Sequence, residues 1–130
     1  MNKLHYKNGL LYTSIVLFHD KKSVTIENAI VDTGASHTLI LTDYLAELDV
    51  ELFDDDQLVK ASGLGGSIFS AVRKSIDRIE MGDISLKGLK IDFGVIDPHE
   101  RVDCLIGLDF LKTAGLVLDL EELVVYKKRP

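Results

Sequence analysis

Ile30-Val31-Asp32-Thr33-Gly34-Ala35-Ser36 is the stretch on which the reading of this chain turns. An apolar strand delivers an acid to a turn, and a glycine stands two residues beyond the acid. A carboxylate at the end of a buried strand is costly unless it is hydrogen-bonded or put to use. Gly34 permits a tight turn whose backbone N–H can approach that carboxylate. Thr33 adds a hydroxyl that can bond to nearby backbone. The three together suit an acid held rigidly under the floor of a cleft.

The residues around this stretch have a strand-and-turn rhythm. Leu4–Lys7 and Leu10–Val16 flank Asn8-Gly9, two residues that tolerate the positive φ of a type I′ hairpin. His19–Lys22 is a polar turn, and Ser23–Val31 is a strand ending at Asp32. Beyond the turn, Leu39–Leu41 is a short apolar strand, and Thr42 is placed to cap a short helix over Asp43–Leu48. Asp54–Asp56 reads as a solvated acidic loop, with spacing that matches no calcium loop. Leu58–Ala61 and Ser67–Arg73 flank a glycine-rich tip. Ser75–Glu80, Ile84–Leu86 and Leu89–Ile96 continue the strands. Leu116–Leu118 and Leu123–Tyr126 form a last hairpin, and Lys127-Lys128-Arg129 is a solvated tail.

A second informative segment lies far downstream, at Cys104-Leu105-Ile106-Gly107-Leu108-Asp109-Phe110-Leu111. Here aliphatic residues precede a glycine that opens a helix, predicted over Ile106–Ala114 and stopped by Gly115. A glycine at position 107 allows backbone to pack closely against the turn that holds Asp32. Asp109 is read as capping or bracing its helix, and Cys104 as a small buried hydrophobe.

The chain resembles the retropepsin-like aspartic proteases, and in particular their cellular and bacterial members. The resemblance rests on Val31-Asp32-Thr33-Gly34-Ala35, the following Leu39-Ile40, a glycine-bearing hairpin at Gly63-Leu64-Gly65-Gly66, and Ile106-Gly107-Leu108-Asp109-Phe110-Leu111. It covers roughly Val24 to Leu120. It implies a single domain over residues 1–130, all-β with one or two short helices, closed as a retropepsin-like β-barrel with one half-site per chain. Asp32 would be the catalytic acid, in an active-site turn completed by Thr33, Gly34 and Ala35. Thr33 would hydrogen-bond across a two-fold axis to the partner's turn. Gly63, Leu64, Gly65 and Gly66 would form the flap over a bound peptide. Ile106 and Gly107 would support the turn from beneath.

The family's chemistry uses two aspartates side by side, and this chain has a single Asp-Thr-Gly and no Asp-Ser-Gly. The second acid must therefore come from another copy, which predicts a two-fold homodimer. Two carboxylates in contact cannot both ionise cheaply, so they share a proton. One takes a proton from a bound water that attacks the peptide carbonyl, and the other donates to the carbonyl oxygen. No metal and no cofactor enter. Ala35 lacks the hydroxyl that some pepsin-like relatives place beside the ionised carboxylate, which implies a less acidic pH optimum.

Some features depart from the family pattern. Viral members commonly carry an acid after the active-site turn and an arginine after the downstream glycine, where this chain has Ser36 and Leu108. That supporting ion pair is absent, and the last hairpin extends past the short viral C-terminus. The rival to a peptide hydrolase is a catalytically inactive dimerisation or peptide-binding module on the same fold.

Composition excludes other classes. The 130 residues are 46% hydrophobic and 28% charged, an ordinary globular balance. The net charge of −6 argues against a nucleic-acid partner. No apolar run approaches the roughly 20 residues that cross a membrane as a helix. Gly9–Phe18 reads as a strand rather than a signal core, so a cytoplasmic protein is expected. The one cysteine admits no internal disulfide. Gly34–Thr38 lacks the second glycine of a serine-hydrolase elbow. Gly63–Ile68 lacks the third glycine of a dinucleotide loop. His5, His19, His37 and His99 have no metal-ligand spacing.

Overall fold

The computed structural model describes residues 2–62, 68–96 and 102–128. These contain strands β1 (Asn2–Lys3), β2 (His5–Lys7), β3 (Leu10–His19), β4 (Lys22–Val31) and β5 (Leu39–Leu41), then helix α1 (Asp43–Glu47). There follow β6 (Gln57–Ser62), β7 (Ile68–Ser75), β8 (Arg78–Met81), β9 (Ile84–Lys87), β10 (Lys90–Gly94) and β11 (Cys104–Ile106). Helix α2 (Leu108–Thr113) and strands β12 (Leu116–Asp119) and β13 (Val124–Lys127) complete the order.

The local turns obey their residues. Asn8 and Gly9 take φ of 52° and 80°, so β2 and β3 close as the expected hairpin. Asp20 and Lys21 also have positive φ, at 46° and 69°. The side chain of Asp77 steadies this second turn by accepting the Asp20 N–H at 2.8 Å. The β3–β4 ladder shifts register between Thr13 and Ile15. The extra residue on β4 puts Ile26 and Ala29 into the same core cluster despite their odd spacing. Ile30 is thereby turned to the opposite face, with Leu39 and Leu105.

The large sheet has the order β6-β7-β10-β5-β11-β4-β3-β8-β9, with β2 paired to β3, and a small sheet has the order β1-β13-β12. Strand β11 lies between β4, to which it is parallel, and β5, to which it is antiparallel. The chain thus leaves β4, makes the turn at Asp32, and returns as β5 on the other side of β11. This crossing places Gly107, one residue past β11, directly beneath the turn.

Four expectations need correction. The closed barrel is not found: among the described residues the large sheet stays open, from β6 at one edge to β9 at the other. Leu4, α2 residues Phe110 and Leu111, Ala114, and Val125 of the small sheet share one core cluster with Ile15, Leu17, Ile26, Ile91 and Phe93. Side chains from the helix and the second sheet, rather than a strand-to-strand ladder, complete the enclosure of that core. Ile106 is strand and not helix, because it pairs with Val31, so α2 begins only after Gly107. Thr42 is helical in backbone and makes no side-chain cap, so its hydroxyl does not start α1.

The acidic loop is not uniformly solvated either. Asp54 and Asp55 are exposed, but Asp56 accepts the Phe53 N–H at 2.7 Å and a Lys74 Nζ bond at 2.8 Å. Lys74 also donates to the Glu51 carbonyl at 2.9 Å and lies over the Phe53 ring. These contacts, led by the Lys74 hydrogen bond, hold the Asp56 carboxyl below its ordinary 3.8. A depressed carboxyl stabilises the fold above its unfolded value and loses that contribution as pH falls through the folded one. Urea unfolding should show a loss of stability as pH falls below about 4 that is shallower in Asp56→Asn. Identical acid profiles for the two proteins would rule this out.

Candidate active site

The turn that carries Asp32 is held at both ends and crowded from below. At its start, the Asp32 N–H donates to the Ile106 carbonyl at 2.9 Å. Inside it, the Gly34 N–H donates to Asp32 Oδ1 at 3.0 Å, and the Ala35 N–H donates to the Asp32 carbonyl at 3.1 Å. One carboxylate oxygen is therefore oriented by backbone, as the position of Gly34 predicted. Asp32 is half-buried, and Thr33 and Gly34 are exposed.

From below, the Leu108 and Asp109 N–H groups donate to the carbonyls of Ala35 and Ser36, at 2.8 and 3.2 Å. A Cβ built on Gly107 would lie 2.8 Å from the Ala35 carbonyl oxygen and 2.8 Å from the His37 carbonyl carbon. Only glycine lets β11 and α2 approach this closely. Ile106 and Gly107 are both buried against the turn, so the two downstream support residues meet Asp32, Thr33, Gly34 and Ala35 in one place. Gly63, Leu64, Gly65 and Gly66, the expected flap, lie outside the described residues.

At the far end of the turn the Thr38 N–H donates to Asp109 Oδ1 and Oδ2 at 3.0 and 2.9 Å, and the Thr38 hydroxyl donates to Oδ1 at 2.7 Å. The Gly107 N–H donates to that hydroxyl at 3.1 Å. Asp109 also accepts the Phe110 N–H at 2.8 Å, so it braces its helix as expected. Its grip on Thr38 was not read from the sequence. The available signal was a hydroxyl just before one apolar strand and an acid just after one glycine. Only the fold joins two residues 71 apart. Ser36 and Leu108, where viral relatives would place an ion pair, are both exposed, and this neutral-to-acid clasp ties the turn to α2 instead.

A row of cross-strand partners leads away from the turn: Tyr12, Ile30, Leu105, Leu39, Asp92 and Arg73. Directly opposed residues share a face of the sheet, and Ile30 stands two residues before Asp32. The row is apolar near Asp32 and ends in an ion pair, with Arg73 Nε and Nη2 donating to Asp92 at 2.7 and 3.1 Å. The side chain of Asp92 is only 4% exposed. Such a pair is secure only when both oxygens are satisfied, and the fork of Arg73 meets that demand. It also raises the Arg73 guanidinium further above its ordinary value.

Cys104 is fully buried on β11, and burial pushes its thiol well above the usual range, so it is inert packing. Among the described residues no three His, Cys, Asp or Glu side chains gather as a metal site. A surface cleft of about 470 Å³ between the β3–β4 turn and Arg78 does not include Asp32. It lies at the opposite end of β4 from that residue. No described helix is long and apolar enough to cross a membrane.

Comparison with known proteins agrees with the geometry. A family model described as aspartyl protease matches residues 18–110, from the end of β3 to the first turn of α2. The fold is similar to the crystal structure of a retropepsin-like aspartic protease from Rickettsia conorii, with a TM-score of 0.66 and 18% identity. The alignment covers 96% of this chain and 87% of that one. The mostly-β architecture with two short helices thus matches a retropepsin-like fold. No curated protein sequence matches the chain.

Proposed function

The chain belongs to the aspartyl protease family, and on that premise we propose that it is a homodimeric aspartic endopeptidase. The observation that carries the reading is the turn itself. Asp32 is presented at the end of a buried strand with one oxygen bonded to the Gly34 N–H, beside exposed Thr33 and Gly34. One chain supplies one such turn. The reaction needs a base and an acid at the same carbonyl, so a second copy would bring its own Asp32 to the first across a two-fold axis.

In that dimer the two carboxylates share a proton, since two negative charges in contact repel. The ionised one takes a proton from water, and the resulting nucleophile attacks the peptide carbonyl. The protonated one donates to the carbonyl oxygen, and the proton then reaches the leaving amine. Thr33 would brace the partner's turn, Ala35 would leave the ionised oxygen without a hydroxyl partner, and Gly63–Gly66 would close over the substrate. The occupant is a peptide or protein segment in extended form. A cytoplasmic setting accords with the buried, unpaired Cys104.

The reading is tested by incubating the protein with a diverse peptide library across pH while its mass is followed by analytical ultracentrifugation. The expected result is cleavage by a dimer, with a pH dependence set by the shared proton. A folded dimer that cleaves nothing at any pH would leave an inactive binding module. A chain that stays monomeric at high concentration would remove the paired site altogether.

A further inference from the structure

We propose that Thr38, gripped by Asp109, is the positioning residue that sets where the Asp32 carboxylate stands relative to its mate. The inference rests on the reading of the chain as a two-fold aspartic peptidase. Thr38 is 0% exposed, and each of its polar atoms is engaged. Its N–H and hydroxyl both donate to Asp109, and its hydroxyl accepts the Gly107 N–H. Its carbonyl accepts the Asp92 N–H at 3.0 Å. Asp92 is in turn fixed by the fork of Arg73. The first turn of α2, the end of β11 and strand β10 therefore converge on one residue, its backbone and side chain together, six residues past Asp32.

The turn between Asp32 and Thr38 has few restraints of its own. Within it, the Gly34 and Ala35 N–H groups bond back to Asp32. Its start is tied to Ile106 and its middle to α2, so its end depends on Thr38. In a two-fold dimer a displacement of one turn is repeated by the other. A carboxylate that drifts outward from the axis by some distance separates the pair by twice that distance. Such alignment is the part of catalysis most sensitive to small shifts. Thr38 does not touch the reacting atoms, so its loss should appear in turnover rather than in substrate affinity.

Thr38→Val is the decisive variant, because it keeps the β-branched shape and removes the hydroxyl alone. It is expected to remain a dimer, with kcat lower by about 10- to 100-fold and KM within about twofold. Thr38→Ser, which keeps the oxygen, should restore kcat to within about threefold. Amide hydrogen exchange reads the same clasp without turnover. Exchange at Ala35 and Leu108 should quicken about tenfold or more in Thr38→Val, while β3 and β4 stay protected. If the wild-type dimer cleaves and Thr38→Val matches it in both kcat and exchange, the positioning role fails alone. If the wild-type dimer cleaves nothing, the peptidase reading fails and takes this role with it.

Discussion

Asp32→Asn is expected to lower peptide cleavage by at least about a thousandfold while leaving the dimer and its Tm unchanged within about 2 °C. Asn matches Asp in shape, and its side-chain oxygen can still accept the Gly34 N–H that Asp32 Oδ1 accepts at 3.0 Å. What it cannot do is ionise and take a proton from water. Mixing provides a sharper test. With equal amounts of wild type and Asp32→Asn and free exchange of subunits, a site built from two chains should retain about half of the activity of the wild-type protein alone, because mixed dimers are dead. Undiminished activity after complete exchange would mean that one chain suffices, and the paired-carboxylate reading would fall.

Gly107→Ala should be the most damaging substitution for the fold around the site. The added methyl group would lie 2.8 to 2.9 Å from the Ala35 oxygen and from the carbonyl carbon and oxygen of His37. All of these are backbone atoms of the turn whose Ala35 and Ser36 carbonyls accept the Leu108 and Asp109 N–H groups, so no flexible side chain is there to move aside. Overpacking of this kind costs about 3 kcal/mol, or roughly 10 °C in Tm for a domain of this size. Gly34→Ala provides the contrast. Among the described residues its Cβ would meet only Asp32 Oδ1, at 3.3 Å, so stability should change by no more than about 1 kcal/mol while cleavage falls because the carboxylate is pushed aside. Thermal unfolding of the two variants side by side checks this order. A Gly107→Ala protein as stable as wild type would mean that the close approach is not required.

Local chemistry made some elements readable residue by residue. Asn8-Gly9 could hardly be anything but a tight hairpin, and both residues take the positive φ that such a turn needs. Gly115 likewise ends the second helix with φ of 63°. Two of the misreadings share one cause, a partner distant in the chain. Ile106 looks like the start of a helix until Val31 pairs with it. Asp56 looks like solvated loop until Lys74 reaches it. Thr42 has a good capping side chain, but its backbone is already helical and the cap is not made.

The order and type of the residues determined that this chain carries one acid on a glycine-bearing turn and a glycine-opened helix to support it, since hydrophobic alternation and turn chemistry are properties of neighbours. Tertiary structure decided how the two segments meet: that β11 threads between β4 and β5, that Gly107 presses on the turn, and that Asp109 holds Thr38. Among the described residues it also left the large sheet open and closed its core with a helix and a second sheet. Contacts between residues some seventy positions apart depend on how strands cross and pack, and no local pattern encodes that crossing.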